Sequence, residues 1–134
     1  MKSIPKVDKY MTTSPHTIGI DQPLSQAHAV MGKHKIRHLP VLAGGKLVGV
    51  LTDRDLHLVE TLKDVDPDKV AVEDAMSANV YSVAPDAPLD QVAEEMAEHK
   101  YGCAVVLDNN HVVGVLTTVD IARALAEVLR LRFH

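Results

Sequence analysis

Apolar and polar positions along the chain alternate between a strand rhythm and a helical rhythm, and the whole series occurs twice. Thr17-Ile18-Gly19-Ile20 is a short extended stretch. Asp21-Gln22-Pro23 then supplies a capping side chain and a proline of the kind tolerated in a first helical turn. Ala27, Val30, Met31 and His34 follow at helical spacing, with Gly32 and the basic cluster behind it expected to weaken the helix towards its end. Leu39-Pro40-Val41-Leu42 and the run from Lys46 to Leu51 read as two buried strands. They are joined at Gly44-Gly45, a pair able to take the positive φ of a tight hairpin turn. Pro40 lacks a ladder donor, which predicts an edge strand. A second helix opens after Thr52 and carries Leu56, Val59 and Leu62.

Moved by the interval from Met11 to Met76, the second half of the chain falls on the first without a gap. Asp21 meets Asp86, Pro23-Leu24 meets Pro88-Leu89, and His34-Lys35 meets His99-Lys100. Val48-Gly49-Val50-Leu51-Thr52 meets Val113-Gly114-Val115-Leu116-Thr117, and Asp55 meets Asp120. Asn109-Asn110 replaces the glycine pair, and asparagine tolerates the same turn geometry. The helix after Thr117 carries Ile121, Ala122, Leu125, Val128 and Leu129. An internal repeat fixes the architecture before any residue receives a role. The class is α+β, with repeats at 1–62 and 72–134 and a charged linker at 63–71 that contains Pro67. A unit of roughly 60 residues is marginal alone, so the halves are expected to bury one another as one module.

Composition narrows the chemistry. The formal net charge of −4 leaves no basic stripe for nucleic acid. With no Trp, one Phe and three Tyr, any flat ligand would be held by aliphatic side chains. The lone Cys103 excludes an intramolecular disulfide and fits a reducing, cytoplasmic setting. Met1-Lys2-Ser3-Ile4-Pro5 lacks the apolar core of a signal peptide, and runs such as Cys103 to Leu107 are too short for membrane insertion. Metal binding is not expected: His34 and His38 straddle a helix and a strand, and no Cys-x-x-Cys or His-Glu-x-x-His pattern occurs. Cys103 reads as an apolar filler, and Asp53 and Asp55 diverge at a helix start. Nothing places a base beside a nucleophile, so no catalytic residue is assigned and an enzyme is not expected.

The sharpest repeated element is Gly49-x-x-Thr52-x-x-Asp55 with its twin Gly114-x-x-Thr117-x-x-Asp120. Thr-x-x-Asp approximates a capping box, in which hydroxyl and carboxylate take each other's backbone N–H. The same helix start is a ready anion site, where the hydroxyl faces phosphate and the acid accepts from sugar hydroxyls. Gly49 and Gly114, lacking Cβ, would let a ligand approach the backbone. The two readings are compatible, since a cap can exchange its partner for a ligand.

Together with Tyr10-Met11, Ala75-Met76 and the strand Ile36-Arg37-His38-Leu39-Pro40-Val41, these elements make the chain resemble a tandem pair of CBS domains, from about Val7 to Leu125. The resemblance implies two β-α-β-β-α repeats packed through their sheets about a pseudo-two-fold axis, often dimerising through helices. It also implies clefts between the repeats that bind adenosine-containing ligands: AMP, ADP, ATP or S-adenosylmethionine. By the same resemblance Asp55 and Asp120 would hold ribose, and Thr52 and Thr117 would face phosphate. His16-Thr17 and Tyr81-Ser82 would offer backbone groups to the adenine edge, and Ile36, Pro40 and Tyr101 would pack on the base. The copies differ in charge: Arg37, His38 and Arg54 stand where the second has Gly102, Cys103 and Val119. An Arg fork suits phosphate oxygens, so Arg37 and Arg54 predict a first site that prefers the more phosphorylated nucleotide and a second that is weaker or empty. The expected function is a regulatory sensor with no required cofactor, signalling to a separate enzyme or transporter. The alternative is a constitutive homodimerisation domain with empty clefts, its interface supplied by Leu125, Val128, Leu129 and Leu131.

Overall fold

Both hairpins turn as their residues dictate: Gly44 and Gly45 take φ of 57° and 82°, and Asn109 and Asn110 take 52° and 65°. The computed structural model describes residues 3–133; Met1, Lys2 and His134, the outermost residues of the expected repeats, lie outside the described residues. In chain order the elements are β1 (Thr12–Thr13), β2 (Ile18–Gly19), α1 (Leu24–His34), β3 (His38–Ala43), β4 (Lys46–Thr52) and α2 (Asp53–Glu60). They continue as β5 (Ser82–Val83), α3 (Leu89–His99), β6 (Cys103–Asp108), β7 (His111–Thr117) and α4 (Thr118–Phe133), with single 3-10 turns at Val7–Lys9 and Val72–Asp74. The α+β class is as the sequence predicts.

The chain divides into two compact units that are cut differently from the sequence repeats. One unit is His16–Val80; the other joins the chain from Tyr81 onward to the segment ending at Pro15. In the first, β3 lies between β2, parallel to it, and β4, antiparallel to it. Pairing steps from Val41↔Gly49 to Leu42↔Leu47, so Val48 is bulged out. Leu39, Val41 and Leu51 pack with Leu24, Ala27, Met31 and Leu56 in one core, closed by Val72. The second unit has strand order β1-β7-β6-β5 and the same step after Val106↔Gly114. Its core is Leu89, Val92, Met96, Ala104, Val106, Leu116 and Ala124, closed by Val7.

Val72 and Val7 are equivalent positions of the two repeats, and each closes the core of a unit built mainly by the other repeat. The backbone explains how. Leu24 N–H donates to Val70 O (2.9 Å) and Ser25 N–H to Pro67 O (3.2 Å). In the other unit Leu89 N–H donates to Pro5 O (2.9 Å) and Val7 N–H to Ala87 O (2.9 Å). The Val70, Pro67 and Pro5 carbonyls satisfy free amides at the starts of α1 and α3, where the N-cap residues Pro23 and Pro88 make no side-chain cap. The cap expected from Asp21 is therefore replaced by a backbone cap.

The same segments account for two glycines. A Cβ built on Gly49 would meet Met76 Sδ at 2.5 Å and Ser77 O at 2.8 Å; one on Gly114 would meet the Met11 sulfur and, at 3.0 Å, Thr12 O. Ser77 and Val50 exchange backbone hydrogen bonds of 2.9 Å beside this seat. The expectation that these glycines admit a ligand is thus corrected: a methionine of the same unit fills the space.

Two further expectations change, for Pro40 and Leu62. Pro40 lies in a central strand rather than at an edge, because β2 begins pairing only at Ile18↔Val41 and leaves the absent N–H without a ladder partner. The helix α1 runs to His34, the last residue of the expected spacing, and stops in a left-handed Lys35, φ 54°; Lys100 repeats this at 59°. Leu62 falls beyond α2 and is exposed.

Gly49→Ala is expected to lower stability by about 1–3 kcal/mol through overpacking against Met76 and Ser77. Gly32→Ala, with nothing within 4 Å of its Cβ, should instead raise it by up to about 1 kcal/mol. Urea denaturation of the two variants checks this contrast in sign.

Candidate functional site

At the end of β4 the chain passes directly into α2, and Thr52 caps the helix. Asp55 N–H donates to Thr52 Oγ1 (3.1 Å), and Thr52 N–H donates to Asp55 Oδ2 (3.1 Å). The capping box is therefore real and is made by the two residues expected to face a ligand. Asp53 N–H donates to Arg37 O (2.9 Å), and Arg37 Nε stands 4.0 Å from Asp53 Oδ2. Pairing of His38 with Thr52 holds this loop beside the turn. Asp55 keeps partial exposure, and Arg37 and Arg54 are exposed.

On the other side of β3, His16 and Thr17 lead into β2 and are exposed. They stand two strands from Thr52, roughly 10 Å at ordinary strand spacing. The His16 ring stacks on His34 at 3.6 Å and 18°. Ile36 is half-buried just before β3 and Pro40 is buried within it. Thr52, Asp55 and Arg37 are thus joined by hydrogen bonds or by the Asp53 bridge, while His16 and Thr17 mark the far edge of the same sheet end.

The second unit repeats the turn in a more closed form. Thr117 N–H and Oγ1–H both donate to Asp120 Oδ2 (2.8 and 3.1 Å), and Asp120 N–H donates to Thr117 Oγ1 (3.3 Å). Arg123 Nη1 stands 3.8 Å from Asp120 Oδ1, and Asp120 is only 5% exposed. Tyr101 stacks on both Tyr81 (5.1 Å) and His99 (5.2 Å), and His99 Nε2 lies 2.8 Å from Glu95 Oε1. Ser82 begins β5 opposite Val105. The stacked aromatics were not deduced from the sequence; the shared spacing of His16, His34 and Tyr81, His99 is the signal that carried them.

The His34 ring stacks on His16 across the end of α1. Among the described residues Glu95, Glu98 and His99 place ligand atoms within 4.8 Å on one helical stretch, without a buried member. Burial pushes the Cys103 thiol up to about 11, in keeping with a packing role. Desolvation lowers His34, helped by the charges of His16 and Lys33, and burial likewise lowers His38, opposed by Asp53 and aided by Arg37. An open groove of about 520 Å³ lies on the helical side of the first unit, between Met31 and Gly32 of α1 and Leu56 and His57 of α2. Of the expected ligand residues it shares only Ile36 and Arg37.

The CBS domain family model matches residues 7–59 and 72–127. The chain is a member of the CBS domain family. The CBS domain-containing protein YhcV of Bacillus subtilis is 32% identical over 112 residues, covering 84% of this chain and 79% of its own length. Other curated relatives are longer, and the chain spans about a quarter of two of them, 24% and 25%. A candidate acetoin utilization protein (AcuB) from Vibrio cholerae has a structure with TM-score 0.85 and 31% identity, covering 97% of this chain and 96% of its own. The CBS domain pair of protein MJ0100, solved with 5′-methylthioadenosine and S-adenosyl-L-methionine, has TM-score 0.81 and 29% identity, covering 93% and 98%. Among the described residues no helix is long and apolar enough to cross a membrane.

Removing the cap hydroxyl should cost the CBS repeats unequally. Thr52→Ala is expected to lower stability by about 1 kcal/mol, the ordinary cost of a lost cap. Thr117→Ala should cost more, about 2 kcal/mol, because buried Asp120 loses a donor as well. Equal losses in chemical denaturation would contradict the difference between the turns.

Because His38 and His34 titrate below their ordinary 6.5 in the folded chain, the unfolded chain takes up protons first. Stability is full above 6.5 and falls as pH drops through the lowered values. Denaturation midpoints at pH 7.5 and 5.5 should show a loss on the acid side that is smaller in His38→Gln; an unchanged slope would remove His38 from the account.

Proposed function

We propose that this CBS pair is a regulatory sensor that binds an adenine nucleotide at the first turn, built by Thr52, Arg54 and Asp55. His16 and Thr17 meet the base edge, Ile36 packs on it beside the fully buried Pro40, and Arg37 and Arg54 answer the phosphates. One observation carries the reading: the same turn occurs twice, but Asp55 is left partly exposed with two hydrogen bonds to Thr52, while Asp120 is buried under three to Thr117 and beside an arginine. The MJ0100 pair, solved with two adenosyl compounds, supports the ligand class. Thr117, Asp120, Tyr81, Ser82 and Tyr101 form the weaker second site. The ligand is bound and not transformed, no cofactor is required, and the signal passes to a separate enzyme or transporter in the reducing cytoplasm. A ligand does this by binding two arrangements of the protein unequally.

A second reading is favoured by α4, whose Leu125, Val128, Leu129, Leu131 and Phe133 are 58%, 43%, 46%, 70% and 71% exposed. An apolar face of this kind fits a homodimer whose nucleotide sites stay empty.

Titration calorimetry with adenosine, AMP, ADP and ATP separates the two. The sensor predicts binding that tightens with phosphate number in the native protein, with that tightening abolished in Arg54→Glu. If no adenosine compound binds or raises the melting temperature, the sensor fails and the assembly reading stands.

A further inference from the structure

The two units differ by one backbone hydrogen bond at the place where base recognition is proposed. In the second unit Val105 N–H donates to Tyr81 O (2.9 Å), and β5 therefore begins pairing at Ser82↔Val105. The equivalent residues of the first unit are Pro40 and His16. Proline has no N–H to give. Pairing there starts one residue later, at Ile18↔Val41, and continues through Gly19↔Leu42 to Ile20 N–H, which donates to Leu42 O (2.9 Å). The second unit lacks that last bond because Pro85 stands where Ile20 does. Two prolines thus slide the short strand pairing by one residue in opposite directions.

The consequence at the sheet end is specific. Tyr81 O is occupied by its own sheet, whereas among the described residues no backbone or side-chain donor reaches His16 O. The His16 ring stacks on His34 at 3.6 Å, and the residue stays exposed. An exposed carbonyl without a protein donor is a ready acceptor for a ligand amine. It stands two strands from the Thr52 hydroxyl and Asp55 carboxylate, a separation that suits the two ends of a nucleoside.

We propose that Pro40 is a selectivity residue: by withholding its N–H it leaves the His16 carbonyl free to accept from an exocyclic amino group, so the first repeat selects an aminopurine over an oxopurine. Val105 denies the second repeat this acceptor. The inference rests on the nucleotide reading above and adds to it the reason why the first site reads the base. Hypoxanthine puts a carbonyl oxygen where adenine puts an amino group, so IMP meets His16 O with two acceptors face to face. The cost is of the kind that rejects a ligand lacking the donor a site is built for.

The experiment is calorimetric titration of the whole chain with AMP and with IMP, in the native protein, Pro40→Val and Pro40→Ala. Both variants restore the N–H, the first with the bulk of Val105 and the second with little side chain to strain the strand. The native protein is expected to bind AMP about tenfold more tightly than IMP. In the variants the ratio should fall to within about twofold, chiefly through weaker AMP binding. Equal binding of AMP and IMP by the native protein overturns the proposal. So does retention of the ratio in whichever variant folds, or an equal loss of both affinities, which would make Pro40 a packing residue only. If the native protein binds neither nucleotide, the failure lies with the sensor reading itself.

Discussion

The structure depends on a close approach: the backbone that opens each repeat lies against a glycine near the end of a hairpin and leaves no room for a Cβ. Met76 and Ser77 sit over Gly49, and Met11 and Thr12 over Gly114. From that seat the preceding residues reach the far side of the same unit. Val70 and Pro5 cap the first helix, and Val72 and Val7 complete the apolar core. A half-sized repeat that could not bury its own core is closed by a segment lying next to its neighbour in sequence. The strand-to-helix turn that follows each glycine is thereby set on a packed support.

On that common frame the copies have separated in ways that point in one direction. The first turn keeps its carboxylate accessible and has arginines around it, and the strand beside it lacks a donor at Pro40. The second buries its carboxylate, stacks three rings and completes the strand pairing at Val105. Each change trades an available polar group for one already satisfied within the protein. Such exchanges are small individually, since a satisfied hydrogen bond contributes about 1 kcal/mol net. Together they separate a turn whose carboxylate stays accessible from one whose polar groups are already paired.

Much of the fold is legible in the residues. The double glycine and double asparagine specify hairpins whatever surrounds them, and the shift between Met11 and Met76 carries the order of elements. The capping box was likewise readable as Thr-x-x-Asp. What escaped depends on partners distant in sequence. The roles of Gly49 and Gly114 follow from Met76 and Met11, and glycine alone does not say whether a ligand or a side chain fills the space. Asp21 looks like a cap until Val70 is seen to do the work. Pro40 sits centrally because its missing donor falls just before β2 begins pairing, a matter of register that local preference does not encode. The left-handed Lys35 and Lys100 show the same override, since glycine is the usual residue at such a helix end.

The central proposal, that a nucleotide fills the first turn ahead of the weaker second, is tested most directly by amide chemical-shift mapping of isotopically labelled protein titrated with ADP. Saturable shifts concentrated at His16, Thr17, Arg37, Thr52, Arg54 and Asp55, with little change at Thr117 and Asp120, are the result the account predicts. Shifts confined to the groove between α1 and α2, or equal in both turns, would contradict it.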